Sequence, residues 1–104
     1  MYKIIAIQSF WDDLEEIADN LEEYTGQPDV ADKLLLEIER LSEGLKDFPR
    51  RYRKHIPGPR HTLKDQHRVM TIKGYYVFYV IFDEEKTIEL RRMINRSKDI
   101  DKWL

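Results

Sequence analysis

The chain has no cysteine, so it forms no disulfide and offers no thiolate for catalysis or metal binding; the absence fits a reducing compartment. It also lacks a long apolar run. The longest, Tyr75 to Phe82, falls far short of the roughly 20 residues a membrane-spanning helix needs, and the first residues lack the basic-then-apolar pattern of a signal peptide. A cytoplasmic protein with no membrane partner is expected. No internal repeat is visible, and 104 residues suffice for one domain, expected over 1–104, but not for two. The three histidines, His55, His61 and His67, have no recognised ligand spacing and no carboxylate cluster beside them. Neither a metal nor any other cofactor is expected.

A large net charge is missing too, since the total is −2, but this balance hides a segregation. Between Asp12 and Asp47 thirteen acidic residues stand against three basic ones, and from Arg50 to Leu104 fourteen basic residues stand against seven acidic ones. The acidic half reads as the solvated faces of two helices. The basic half offers a surface to a nucleic acid or an acidic partner.

Tyr2 to Gln8, with Ile4, Ile5 and Ile7, reads as a first strand. Ser9 followed by Asp12 resembles a capping box with a shortened acid, and it starts a helix whose apolar stripe is Phe10, Leu14, Ile17, Ala18, Leu21 and Tyr24. Gly26 ends that helix. Pro28-Asp29 opens a second, with Ala31, Leu34, Leu35, Ile38, Leu41 and Leu45 as its stripe and Pro49 as its stop. From Pro49 to Gln66 there is no period, and Pro57-Gly58-Pro59 marks an irregular connection with a short strand near His61 to Leu63. Between Arg50 and Arg68 it carries seven Lys or Arg against one acid, Asp65; loops this long in compact domains are more often functional than idle. Three strands follow at about 68–73, 75–82 and 87–94, with turns at Gly74 and at Asp83 to Lys86. The middle one is apolar on both alternating faces, as a strand covered on two sides must be. The predicted architecture is α+β, an N-terminal strand and an antiparallel helical hairpin packed on a twisted antiparallel sheet.

Several cations lie on or just beyond the strands flanking the buried one, namely Arg68, Arg91, Arg92, Arg96 and Lys98. Guanidinium groups held by a rigid sheet suit an anionic partner, so Arg51, Arg53, Arg92, Asn95 and Lys98 form the candidate binding set. Cleaving RNA through its own 2′-hydroxyl needs a base, cations for the phosphorane charge and an acid for the leaving 5′-oxygen. Arg68, Arg92 and Arg96 would supply charge, and Lys54 and His55, or His67 beside Arg68, are the groups suited to proton transfer near neutral pH. Arg92 has a second reading. By alternation it shares a face with Ile88, Leu90 and Ile94, which would make it a partly buried cation paired with a helix carboxylate. Tyr75, Tyr76 and Tyr79 suit stacking on bases, although tyrosines of a central strand are mostly core with a hydrogen-bonded hydroxyl. Trp11, off the first stripe, and Trp103 are candidate contact residues.

The order strand, helix, helix, three strands, with Arg68 ahead of Tyr75-x-Val77-Phe78-Tyr79 and the ending Ile88-x-Leu90-x-Arg92-x-Ile94-x-x-Ser97-Lys98-Asp99, resembles the RelE/ParE superfamily of type II toxin–antitoxin toxins, which includes plasmid-stabilisation proteins. The resemblance runs over nearly the whole chain. It implies a bacterial toxin that inhibits growth and is neutralised by a small antitoxin encoded beside it. RelE-like members are mRNA interferases, metal-independent endoribonucleases that cut ribosome-bound mRNA, whereas ParE-like members poison DNA gyrase. RelE-like members usually carry an Arg where this chain has Thr71, and a Tyr where it has Lys102, while Arg96 stands at their phosphate-binding position. Arg68, Arg92 and Ser97-Lys98-Asp99 follow the ParE-like pattern, in which a His commonly stands where Asn95 is. The missing RelE-type residues favour the gyrase poison. The alternatives are the ribosome-dependent nuclease and a non-toxic member that acts only in an antitoxin and DNA-binding complex.

Overall fold

The computed structural model describes residues 1–104. A first strand, β1 (Lys3–Ala6), leads directly into helix α1 (Gln8–Thr25), which is followed by α2 (Asp29–Leu45). The apolar stripes are what dock these helices, because Phe10, Leu14, Leu34, Ile38 and Leu45 are buried. The stripe of α1 outruns the sheet at its end, where Tyr24 is exposed. Gly26 stops α1 as expected, with φ 70° and its N–H donating to the Glu22 carbonyl; that left-handed conformation costs glycine little. The capping box does not form. Ile7 occupies the cap position with no side-chain bond, and the Ser9 hydroxyl donates instead to the Arg91 carbonyl at 2.8 Å. The turn between strand and helix is so tight that the helix begins at Gln8 and Ser9 already faces the sheet.

The basic connection leads to β2 (His67–Ile72), β3 (Tyr75–Phe82), β4 (Thr87–Asn95) and a one-turn helix α3 (Ile100–Trp103). The sheet order is β1-β4-β3-β2. β2, β3 and β4 form the antiparallel meander, and β1 adds to the far side of β4 in parallel, Lys3 opposite Thr87. The sheet is therefore mixed, with the helical hairpin as part of the long route from one parallel strand to the other. The expected strand near His61 to Leu63 is absent. Pairing in this connection occurs at Lys54, opposite Arg68, where His55 donates its N–H to the His67 carbonyl and Val69 donates to Arg53.

The sheet is covered on both faces. On the helix side Met70, Ile72, Val77, Tyr79, Ile88, Leu90 and Met93 join the buried residues of α1 and α2. On the other side Val69, Phe78 and Ile94 are covered by Tyr76, Ile100 and Leu104 and by the His55 ring, edge-on to Phe78 at 5.3 Å between centroids. Strict alternation along β4 breaks at a bulge. Phe78 faces Arg92 while Tyr79 faces Leu90, leaving Arg91 as the extra residue. Beyond it Met93 turns to the helix side and Ile94 to the opposite face, so Ile94 does not share a face with Ile88 and Leu90 as alternation predicts.

Candidate functional site

The face of the sheet away from the helices carries an aromatic ring flanked by cations without ion pairs. Tyr76 lies there, its ring 6.0 Å from Phe78 and 69° inclined to it. Two guanidinium groups approach that ring, Arg53 at 5.9 Å and Arg96 at 5.7 Å from its centroid. Both arginines are exposed, and neither makes an ion pair. The fold explains the convergence. Arg53 lies in the segment that bridges to the edge of β2, and Arg96 follows β4 with its N–H on the Gly74 carbonyl, so both ends meet beside the β2–β3 turn. Thr71, opposite Tyr76, is exposed.

Arg68 is elsewhere. It pairs with Tyr79 on the helix side, and its guanidinium donates to the Tyr52 carbonyl at 2.8 Å and to the Arg50 carbonyl at 3.4 Å. Tyr79 completes this anchor by donating to the Pro49 carbonyl at 2.9 Å, and burial pushes its phenol up to about 12. These bonds fix the start of the basic connection to the sheet. The structure therefore does not bring Arg68 and Arg96 together, and Arg68 acts as a tether. Arg51, exposed, lies over Gly44 of α2 and beside the ring of its neighbour Tyr52, 5.4 Å from its centroid.

The proton-transfer candidates divide in the same way. Lys54 is exposed at the sheet edge. His55 is buried, and its Nε2 is sealed from solvent without a partner. Burial pushes its pKa below the ordinary imidazole value, because a proton added there would place charge in an apolar site. His67 is buried as well, with Nδ1 3.1 Å from the Asp65 carbonyl, and burial lowers its pKa too. His61 also has a sealed, unpartnered Nε2. No three acidic or histidine side chains come together in a metal-holding arrangement.

Arg92 is committed to a carboxylate. Its Nε donates to Asp13 of α1 at 2.6 Å and one terminal nitrogen at 3.0 Å, while the other meets the Trp103 carbonyl. The bond to Asp13 raises the Arg92 pKa, and Asp13 also accepts from the Met93 N–H at 2.9 Å. Asp13 thus ties α1, the bulge and the C-terminal turn together. Its position between Asp12 and Leu14 gives only a helical spacing that carries it towards the sheet. Lys98 lies over the Trp103 ring at 5.0 Å, and the Asn95 side chain accepts from the Ser97 N–H and hydroxyl, shaping the turn after β4. Arg91 is neutralised, 3.2 Å from Asp65 and 2.8 Å from Glu89. Of the candidate cations, Arg53 and Arg96 are the two that converge on an aromatic ring without a carboxylate.

With this geometry in place, the sequence matches the profile described as ParE toxin of type II toxin-antitoxin system, parDE, over residues 5–100. The chain belongs to this toxin family. The ParE-type fold is shared with solved structures of low sequence identity. A chain of the chromosomal ParDE toxin–antitoxin system from P. aeruginosa superposes with a TM-score of 0.66 at 18% identity, covering 91% of this chain and 96% of that one. A metal-bound toxin from Helicobacter pylori gives 0.58 at 22% identity, with 93% and 97% covered. A chain of the archaeal RelE–RelB complex from Pyrococcus horikoshii OT3 gives 0.56 at 14% identity, with 94% and 98% covered. No curated protein matches the sequence. The RelE/ParE superfamily assignment and its α+β fold are thereby established, and no helix is long and apolar enough to cross a membrane.

Proposed function

We propose that this ParE-family toxin inhibits growth in the cytoplasm by binding DNA gyrase, not by cutting RNA. The observation that carries the reading is the burial of His55 and the sealing of its Nε2. A general base must come within hydrogen-bond reach of the proton it takes, and the His55 Nε2 is beneath the surface on which Arg53 and Arg96 present their charge. Thr71 and Lys102, standing where RelE-like members usually carry Arg and Tyr, support the same reading. Inducible expression in a bacterium followed by two readouts tests it: double-strand breaks with intact messages are expected. Defined cuts in ribosome-bound messages would overturn it, and unchanged growth would identify a member without toxicity.

One observation favours the nuclease as a second reading. A tyrosine ring approached by two unpaired guanidinium groups suits a stacked base with its phosphate. Replacing Arg53 and Arg96 together by Ala should then abolish message cleavage, while a gyrase poison would show no cleavage to lose.

The antitoxin that family membership implies would present an acidic, amphipathic segment to the half of the chain in which basic residues outnumber acidic ones two to one. Co-expression with a small neighbouring gene should yield a complex that survives gel filtration at micromolar concentration in moderate salt. Separate elution would rule this partner out.

A further inference from the structure

We infer that the Tyr76 face holds single-stranded DNA, so that the toxin grips the nucleic acid on which its gyrase target works; the inference rests on the gyrase reading. Three observations meet at this face. The Tyr76 ring, partly exposed on β3, has the Arg53 and Arg96 guanidinium groups 5.9 Å and 5.7 Å from its centroid. Neither group is spent on a carboxylate, unlike those of Arg50, Arg91 and Arg92. Opposite Tyr76 on β2 stands Thr71, exposed and short, which leaves a hydroxyl beside the ring in place of a covering side chain. Hydroxyls of this kind serve phosphate oxygens in protein–DNA contacts.

The ring decides between partners. A protein carboxylate would use the two cations and leave the aromatic face idle, whereas a nucleotide uses both, its phosphates on the guanidinium groups and its base on the ring. Aromatics on a sheet stack on bases that are splayed out, which a closed duplex does not offer. The surroundings favour an anion. The acidic helical hairpin packs on the opposite face of the sheet, and the carboxylates on the near side, Asp99 and Asp101, are turned to the backbone N–H groups of Asp101 and Gly58. DNA also fits the missing chemistry. A deoxy strand has no 2′-hydroxyl to attack its own phosphate, so it asks only a grip of this face, and the sealed His55 Nε2 is no defect.

The test titrates the purified toxin with a fluorescent single-stranded oligothymidine across a salt series, read by anisotropy. Binding that weakens with salt is expected. Arg53→Gln and Arg96→Gln should each reduce the slope of log affinity against log salt by about 0.7, the share of one phosphate on a single strand. Tyr76→Leu, which keeps an apolar group against Phe78, should weaken binding about fivefold to hundredfold at an unchanged slope. The duplex with the complementary strand should bind more weakly than the single strand. No binding at about 50 mM salt overturns the inference. Slopes unaffected by both arginine replacements do the same, as does undiminished binding by Tyr76→Leu, which would mark the face as one for protein carboxylates. Double-strand breaks in cells without strand binding would end this inference and leave the gyrase reading standing. Cut messages would end that reading and, with it, the choice of DNA over RNA.

Discussion

Three arginines that look alike in the sequence have three different occupations. Arg92 closes a two-pronged bond with Asp13, Arg68 donates to two backbone carbonyls, and Arg96 lies free over Tyr76. Arg92→Ala should therefore lower stability by about 1–3 kcal/mol, leaving a half-buried carboxylate without its cation, as thermal or urea melting would show. Arg96→Ala should leave the melting curve nearly unchanged while reducing growth inhibition if Tyr76 and its cations form the working surface. Its full toxicity would remove that face from consideration. A helix carboxylate as the partner of Arg92 was one of two readings that alternation offered, but the face assumed with Ile88 and Leu90 was not the one found: the bulge sets Arg92 opposite Phe78, and neither that turn nor Asp13 leaves a mark in the local pattern. The buried histidines give a pH dependence with a definite sign. Both fold with pKa values below the ordinary value near 6.5, so the unfolded chain takes up protons first as pH falls. Stability should be level above that pH and decline below it until the lowered folded pKa values are passed. Melting between pH 8 and pH 5 checks this, and His55→Gln with His67→Gln should flatten the slope; an unchanged slope in the double variant would assign the dependence to other groups.

At the scale of elements, the β2–β3 hairpin is held by a two-residue turn in which Lys73 has φ 50° and Gly74 φ 109°. Such turns favour Asn before Gly, because a long side chain pays a steric penalty in the left-handed region. Lys73→Asn should stabilise the domain by roughly 0.5–1 kcal/mol, read as a higher denaturation midpoint at unchanged slope. A lower midpoint would mean that the lysine makes a compensating contact. The helices were legible for a simple reason: Phe10, Leu14, Leu34 and Ile38 repeat with the helical period and need only one apolar surface to dock. The parallel placement of β1 was not, since strand partners are selected by topology across the entire chain and Lys3 to Ala6 reads the same beside any neighbour. The basic connection was legible only as irregular. Its extended contact falls at Lys54 to His55, where backbone bonds to β2 decide the matter, and α3 is too short to leave a periodic signal.

For the molecule as a whole, the helical hairpin is both an acidic exterior and the lid of the larger core. Leu14 and Ile38, one from each helix, are buried in that core, so Leu14→Asp and Ile38→Asp should each cost several kcal/mol, a large part of the 5–15 kcal/mol typical of a domain. Insoluble or unfolded protein is expected on expression, and a normal melting curve for either variant would contradict the packing. The charge segregation was legible at this scale from counting alone; what counting could not give is that the acidic segment, folded as the helical hairpin, lies between two strands that pair in one sheet, β1 against β4. That pairing also sets a timetable. Lys3 leaves the ribosome long before Thr87, its partner in the sheet, and at roughly 5–20 residues per second the interval lasts several seconds. Until then the first strand lacks its partner and the two helices have only the β2–β3 hairpin to cover. A message broken anywhere before the last strand therefore releases fragments in which β1 lacks its partner and the sheet cannot be completed.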